Sequence, residues 1–244
     1  MFSRFKKASC IALAQILSGV IVWGASSHPK PMPDETVDPK TLDPATPLQA
    51  AKRLTSEGKY KEALKEINES LKRNPNYWDA CYEGAYIYQL QHRNKEAIDK
   101  YEQLLEVKPD YLQARINLGI LLKQTGKQKE AEQQYKKAIE DYYYSSEAHY
   151  NLANLLIEEE RLKEAAQELQ VCVKLSPSNA WAHNNLGVIF QKGNYLEEAE
   201  QEFSRASDLE PANETFFDNL TLVRDELKKK VPHKHPPTAE SSDS

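Results

Sequence analysis

The sequence predicts an all-α protein built as a stack of helix pairs, and three observations carry that expectation. Five Glu-Ala dipeptides, Glu62-Ala63, Glu96-Ala97, Glu130-Ala131, Glu164-Ala165 and Glu198-Ala199, recur at a fixed step of 34 residues. A period of that length marks a helical array in which each unit buries its apolar surface on its neighbours. Four prolines, Pro75, Pro109, Pro177 and Pro211, keep the same phase with one beat missing. Small residues keep it too: Ala51, Ala85, Gly119, Ala153 and Gly187 stand at the eighth place of successive units, and alanine stands at the twentieth place every time. Counted from Pro44, the units are 44–77, 78–111, 112–145, 146–179 and 180–213.

Each unit reads as two helices joined by a tight turn. Small residues facing one another let two antiparallel backbones approach closely. Larger apolar side chains fill the space around them and are expected in the core: Leu118, Leu152 and Leu186 at the seventh place, Leu54, Tyr88, Leu122, Leu156 and Phe190 at the eleventh, and Ile67, Tyr101, Tyr135, Leu169 and Phe203 at the twenty-fourth. Turns such as Glu57-Gly58-Lys59, Thr125-Gly126-Lys127 and Lys192-Gly193-Asn194 offer a glycine where the first helix can end at positive φ. The second helix stops at the proline, which lacks an amide donor and disfavours helix at the residue before it. The glutamate of each Glu-Ala pair falls early in the second helix, where its charge complements the dipole. An acid–base role is not expected for these glutamates, because the repeat spaces them too far apart to share a reacting group. In the third unit Tyr143 takes the proline's place, so its second helix is expected to outrun the others and to leave at least one of Tyr142, Tyr143 and Tyr144 exposed.

Ahead of the array, Arg4, Lys6 and Lys7 precede an apolar run from Ala8 to Trp23 and the small residues Gly24 to Ser27. That pattern describes a secretory signal peptide over residues 1–25. The run is also at the short limit of a membrane-spanning helix. Two outcomes follow: export to the periplasm or another extracytoplasmic space after cleavage, or anchoring to the inner membrane through residues 8–24. Residues 26–43 are proline-rich with little apolar content, which suits an extended linker. Beyond the last unit, residues 214–230 continue the first-helix pattern without a second helix and are expected to cap the stack, with Phe217, Leu220 and Leu227 inward. Residues 231–244 have the composition of a disordered tail.

Charge and composition exclude several functions. The formal net charge is −5, and losing the three N-terminal basic residues with a signal peptide would take it to −8. Nucleic acid is therefore not an expected partner, since its binding rests on phosphate neutralisation. Cys81 and Cys172 fall in different units, several helix diameters apart, and are expected as buried free thiols. The phosphate-binding, zinc-protease and serine-hydrolase motifs are absent, and His233 with His235 is too little for a metal site. No catalysis, metal or cofactor is expected.

The pattern of Leu-Gly at the seventh and eighth places, alanine at the twentieth, an aromatic at the twenty-fourth and proline at the thirty-second closely resembles the tetratricopeptide repeat family over residues 44–213. The departures are Pro47, Cys81, Arg115, His149 and His183 at the fourth place, Leu104 in place of a small residue, and Tyr143 in place of proline. The resemblance implies a right-handed superhelical solenoid of five helix-turn-helix units plus a capping helix, whose first helices line a concave groove for a peptide. Carried onto this chain, the groove positions include Tyr82 and Tyr86, then Ile116, Asn117 and Ile120, then Tyr150, Asn151 and Asn154, then Asn184, Asn185 and Val188, with Asn219 in the capping helix. Asp79, Glu83, Lys123, Glu147 and Trp181 fall at equivalent places.

Asn117, Asn151, Asn185 and Asn219 stand 34 apart and form a row of carboxamides. An amide both donates and accepts, which fits recognition of a peptide backbone; packing between helices is the other reading. No basic residue stands at the second, fifth or sixth places, so a clamp for a carboxylate terminus is not expected. The function implied is a non-catalytic scaffold or assembly factor of the cell envelope that binds a protein or peptide partner, or else a regulatory or accessory subunit of an exported enzyme complex.

Overall fold

The computed structural model describes residues 43–230. Residues 1–42 and 231–244 lie outside the described residues, as do the signal, linker and tail expected there. Among the described residues there are eleven helices and no strand. The first helices of the five pairs are α1 (Ala45–Ser56), α3 (Trp78–Leu90), α5 (Leu112–Gln124), α7 (Ser146–Glu158) and α9 (Ala180–Lys192). Their partners are α2 (Tyr60–Arg73), α4 (Asn94–Val107), α6 (Gln128–Asp141), α8 (Leu162–Leu175) and α10 (Leu196–Leu209), and α11 (Glu214–Lys230) closes the series alone. The chain divides into two compact blocks, one ending at Asp141 and the other beginning at Tyr142. Within each block every helix packs on its sequence neighbour, and the first helices α1 and α3 also touch, as do α9 and α11.

The reason for this packing is visible in the repeated positions. The five alanines of the Glu-Ala pairs and the five large residues Ile67, Tyr101, Tyr135, Leu169 and Phe203 are all fully buried. A Cβ on Gly119 would come within 2.5 Å of Cε1 of Tyr135, so the missing side chain makes room for the ring of the second helix. The turn inside each pair puts its fifteenth residue at positive φ: Gly58, His92, Gly126, Glu160 and Asn194. The fifth turn corrects the sequence reading, because Gly193 sits at φ −79 and Asn194 carries the left-handed conformation. The repeat register, not the glycine, decides which residue turns, and asparagine adopts that region more readily than most residues.

Two further expectations change. Helix α6 is 14 residues long, like α2, α4, α8 and α10, and does not outrun them. The same turn forms without proline: the Ser145 amide donates to the Tyr142 carbonyl at 2.9 Å, and the Ser145 hydroxyl accepts from the Ala148 amide at 3.2 Å, capping α7. The other half of that expectation holds, with Tyr144 82% exposed and Tyr142 and Tyr143 also at the surface. In α11 the inward residues are Phe216, Leu220 and Val223, with Leu227 partly buried, while Phe217 is 60% exposed. Phe216 holds the third place of the unit, where the preceding first helices bury Ala80, Ala114, Ala148 and Ala182. Phe217 holds the fourth, which elsewhere faces a second helix that α11 does not have.

That fourth place has a structural role in the other units. His149 places Nδ1 2.6 Å from Glu168 of α8 and Nε2 2.9 Å from the Tyr143 carbonyl. His183 repeats the arrangement with Glu202 at 2.6 Å and the Pro177 carbonyl at 3.2 Å. Arg115 does the same in the third unit, donating to Gln134 at 3.1 Å and to the Pro109 carbonyl. Each side chain ties the turn before its helix to the helix after it.

Cys81 and Cys172 are buried and form no disulfide with each other, and burial pushes the Cys172 thiol up to about 11, leaving it un-ionised at neutral pH. Among the described residues no helix is long and apolar enough to cross a membrane.

Candidate functional site

In the first block the outward side of α3 carries a cluster of tyrosines. Tyr82 and Tyr86, one turn apart, have rings nearly parallel, with an interplanar angle of 3° and centroids 6.3 Å apart. Tyr111 lies against Tyr82 with centroids 5.4 Å apart and 25° between the planes. Beneath them Tyr101 of α4 is fully buried. The hydroxyl groups are tied down: Asn117 of α5 donates to Tyr82 at 2.9 Å and to Tyr101 at 3.1 Å, Tyr101 donates to Gln89 at 3.0 Å, and Tyr111 donates to Asp79 at 2.7 Å. Burial and the Asp79 carboxylate together push the Tyr111 phenol upward, so it stays a neutral donor. Phenol and indole rings with fixed polar ends supply contact area at low entropy cost, which suits recognition.

Tyr111 was not among the sequence candidates. It occupies the last place of its unit, immediately before α5, where Ser145 and Asn179 cap their helices with side-chain oxygens. A tyrosine cannot cap in that way, and its ring turns instead onto Tyr82 and Asp79 of the preceding first helix.

In the second block the corresponding side is an amide strip. Asn219 of α11 donates to Asn184 Oδ1 at 2.8 Å, Asn184 donates to Asn185 Oδ1 at 3.4 Å, and Asn185 donates to Asn154 Oδ1 of α7 at 2.8 Å. Tyr150 and Val188 are half-buried beside it, and Trp181 is 45% exposed while packing edge-on to Phe216 at 4.8 Å. Asn151 stays apart, donating to the Glu147 carbonyl of its own helix at 2.9 Å.

The structure corrects several members of the expected face. Ile116 is 1% exposed and belongs to the core, not to a ligand surface. Asn184 is 5% exposed and works as a link in the amide strip. Glu83 is 6% exposed; burial raises its carboxyl above the usual range while Lys52 and Thr55 of α1 pull it down. The fifth place of a first helix therefore turns inward where its side chain is aliphatic or amide and stays half-exposed where it is a long tyrosine, as at Tyr82 and Tyr150. Nor do the sixth-place asparagines pair with one another. Asn117 and Asn219 reach the fifth-place residue of the preceding first helix, and Asn185 reaches the ninth. Ile120 remains half-buried at its expected place. Among the described residues no three histidine, cysteine, aspartate or glutamate side chains group closely enough to hold a metal.

Models of the tetratricopeptide repeat match residues 85–143 and 182–213, and a TPR repeat model matches residues 153–194. The chain is a tetratricopeptide-repeat protein. The curated proteins give no match. Among solved structures, this tetratricopeptide-repeat protein is similar to YrrB, a TPR protein with an unusual peptide-binding site, at 23% identity over 77% of this chain and 92% of that one, with a TM-score of 0.55. It is also similar to PilF of Pseudomonas aeruginosa, 17% identical over 80% and 94% of the two chains with a TM-score of 0.67. MamA from Desulfovibrio magneticus RS-1 is 19% identical over 70% and 97%, with a TM-score of 0.59. At these identities the likeness establishes the fold.

Proposed function

We propose that this tetratricopeptide-repeat protein is a non-catalytic interaction scaffold of the cell envelope, holding an extended segment of a partner protein on its first-helix faces. The observation that carries this reading is the half-exposed band of Tyr82, Tyr86 and Tyr111, in which hydrogen bonds hold Tyr82 and Tyr111 and Tyr86 stacks on Tyr82. The amide strip of the second block supports it. Each carboxamide has two N–H donors and two lone pairs, and the strip uses only part of that capacity. A peptide backbone offers the matching groups. The peptide-binding site of YrrB, on a similar fold, points the same way. Location in the envelope rests on the basic-then-apolar N-terminal segment.

The test is affinity capture from solubilised envelopes with the full chain and with a Tyr86→Ala, Tyr150→Ala double variant. Partners captured by the parent and lost from a folded variant are the expected result. Capture that is unchanged in the variant moves the contact elsewhere and overturns the groove reading. N-terminal sequencing of the native protein tests location: a chain starting near Ala25, or an intact chain in the membrane fraction, supports the envelope, and an intact chain in the cytosol overturns it.

A further inference from the structure

The tyrosine cluster of the first block has a charged corner. Asp79, in the first turn of α3, is exposed, and Tyr111, whose ring lies against Tyr82, donates to its Oδ1 at 2.7 Å. The nearby tyrosines sense a negative field: Tyr77 is raised by burial and by the charges of Asp79 and Asp43, and Tyr111 by burial and by Asp79. Lys52 of α1 acts on Glu83, whose carboxyl it pulls down. The phenol oxygens of Tyr82 and Tyr111 have partners inside the cluster, so their rings offer aromatic surface with the exposed Asp79 carboxylate at its edge.

We propose that this corner, formed by Asp79, Tyr82, Tyr86 and Tyr111, is a subsite for a cationic side chain, an arginine or lysine of the partner segment. A guanidinium or ammonium group is attracted to a tyrosine face within about 6 Å of its centroid, and the planar guanidinium both stacks and donates to a carboxylate. Asn117 holds Tyr82, Asp79 holds Tyr111 and Tyr86 stacks near-parallel on Tyr82, so the cation meets a surface that is already arranged. The formal charge of the chain, −5, favours the encounter with a basic segment. This subsite rests on the reading that the first-helix faces bind peptide, and it specifies which residues that peptide carries.

The probe is N-acetyl-arginine amide, titrated against the full chain labelled with 13C in its tyrosine rings, with N-acetyl-citrulline amide as the uncharged isostere. The expected result is saturable shifts of the Tyr82, Tyr86 and Tyr111 resonances with the arginine compound and none with citrulline. Asp79→Asn keeps an acceptor for the Tyr111 hydroxyl and removes only the charge; it is expected to weaken binding about threefold to tenfold, since about 1.4 kcal/mol corresponds to a factor of ten. Equal shifts with arginine and citrulline overturn the subsite, as do arginine shifts that fall on Tyr142, Tyr143 and Tyr144 instead. The two readings separate cleanly. Capture that depends on Tyr86 and Tyr150 but is indifferent to Asp79→Asn keeps the scaffold and removes the cation subsite. Loss of the Tyr86 and Tyr150 dependence removes the scaffold groove, whatever arginine amide does.

Discussion

A Cβ built on Gly187 would lie 2.8 Å from both Cδ1 and Cε1 of Phe203, closer than carbon atoms tolerate. Gly187 is at the eighth place of its unit and Phe203 at the twenty-fourth, on facing helices α9 and α10, and Phe203 is fully buried. The third and fourth units trade volume at the same two places, Gly119 facing Tyr135 and Ala153 standing with the smaller Leu169, whereas the second unit buries Ala85 and Tyr101 together.

Gly187→Ala therefore overpacks a closed site. Alanine is the better helix former by about 1 kcal/mol, but displacing a buried ring costs about 1–3 kcal/mol. The net expectation is a loss of up to about 2 kcal/mol in the free energy of unfolding, measured by urea denaturation. Adding Phe203→Leu, which recreates the Ala–Leu combination of the fourth unit, is expected to recover part of that loss. A Gly187→Ala protein as stable as the parent would mean that the two helices separate easily.

His149 gives the second block a pH-dependent joint. Burial opposes a charged imidazole, but the hydrogen bonds to Glu168 and to the Tyr143 carbonyl, with the carboxylate's charge, outweigh it and raise the His149 pKa above the usual histidine value. The geometry agrees, because a carbonyl can only accept, so Nε2 donates, and a carboxylate at 2.6 Å favours a proton on Nδ1 as well. A histidine whose pKa is higher in the folded state binds its proton more tightly there. The stability it adds is complete below about pH 6.5, the unfolded value, and disappears as pH climbs through the folded value. Thermal denaturation from pH 5.5 to 8.5 should show the parent losing stability relative to His149→Gln as pH rises. Parallel curves would rule out a charged His149.

The positions that sequence made legible are those where one residue type answers to one neighbour. Alanine at the twentieth place and a large residue at the twenty-fourth are dictated by close helix contact, and all ten are buried as expected. The candidate site was legible only in outline, because the phase of a helix tells which side a residue is on but not how far its side chain reaches. Ile116 and Tyr82 share the fifth place, yet the short aliphatic chain is absorbed by the core and the phenol extends beyond it. Tyr111 escaped notice because its place is a capping place, and only the bulk of a tyrosine where serine or asparagine can serve pointed to another use. The fourth-place basic residues read as departures from a pattern; the acceptors at Gln134, Glu168 and Glu202, each 19 residues on, were the available clue.

The amide strip separates two asparagines that look alike in sequence. Asn184 is buried and accepts from Asn219 across the helix interface, whereas Asn151 is half-exposed and bonds its own backbone. Removing Asn184 takes the acceptor from the half-buried Asn219 amide, a loss of about 0.5–1.5 kcal/mol, while a surface change of the other kind stays within about 0.5 kcal/mol. Asn184→Ala is expected to destabilise by the first amount and Asn151→Ala by the second, in matched denaturation curves. Equal effects would mean that the Asn219–Asn184 bond adds nothing to the packing of α11 on α9.

Tyr143 stands where Pro109 and Pro177 stand in their units, and the turn around it closes in the same way. The Ser145 amide reaches the Tyr142 carbonyl as the Tyr111 amide reaches Lys108 and the Asn179 amide reaches Ser176. The residues before the two prolines, Lys108 and Ser176, have φ near −132 and −134, outside the helical region, as a following proline requires. Proline at 143 therefore meets a turn its siblings already form, and it removes conformational freedom from the unfolded chain. The carbonyl that His149 engages is retained, as the Pro177 carbonyl is for His183. Against this, the ring of Tyr143 lies edge-on to His149 with centroids 5.5 Å apart, a contact that is more than half open to solvent and so of small worth. Tyr143→Pro is expected to raise stability by about 0.4–1 kcal/mol, read as a shift of the urea midpoint at constant slope. A destabilised variant would mean that the tyrosine ring, and not the turn, holds the start of α7 in place.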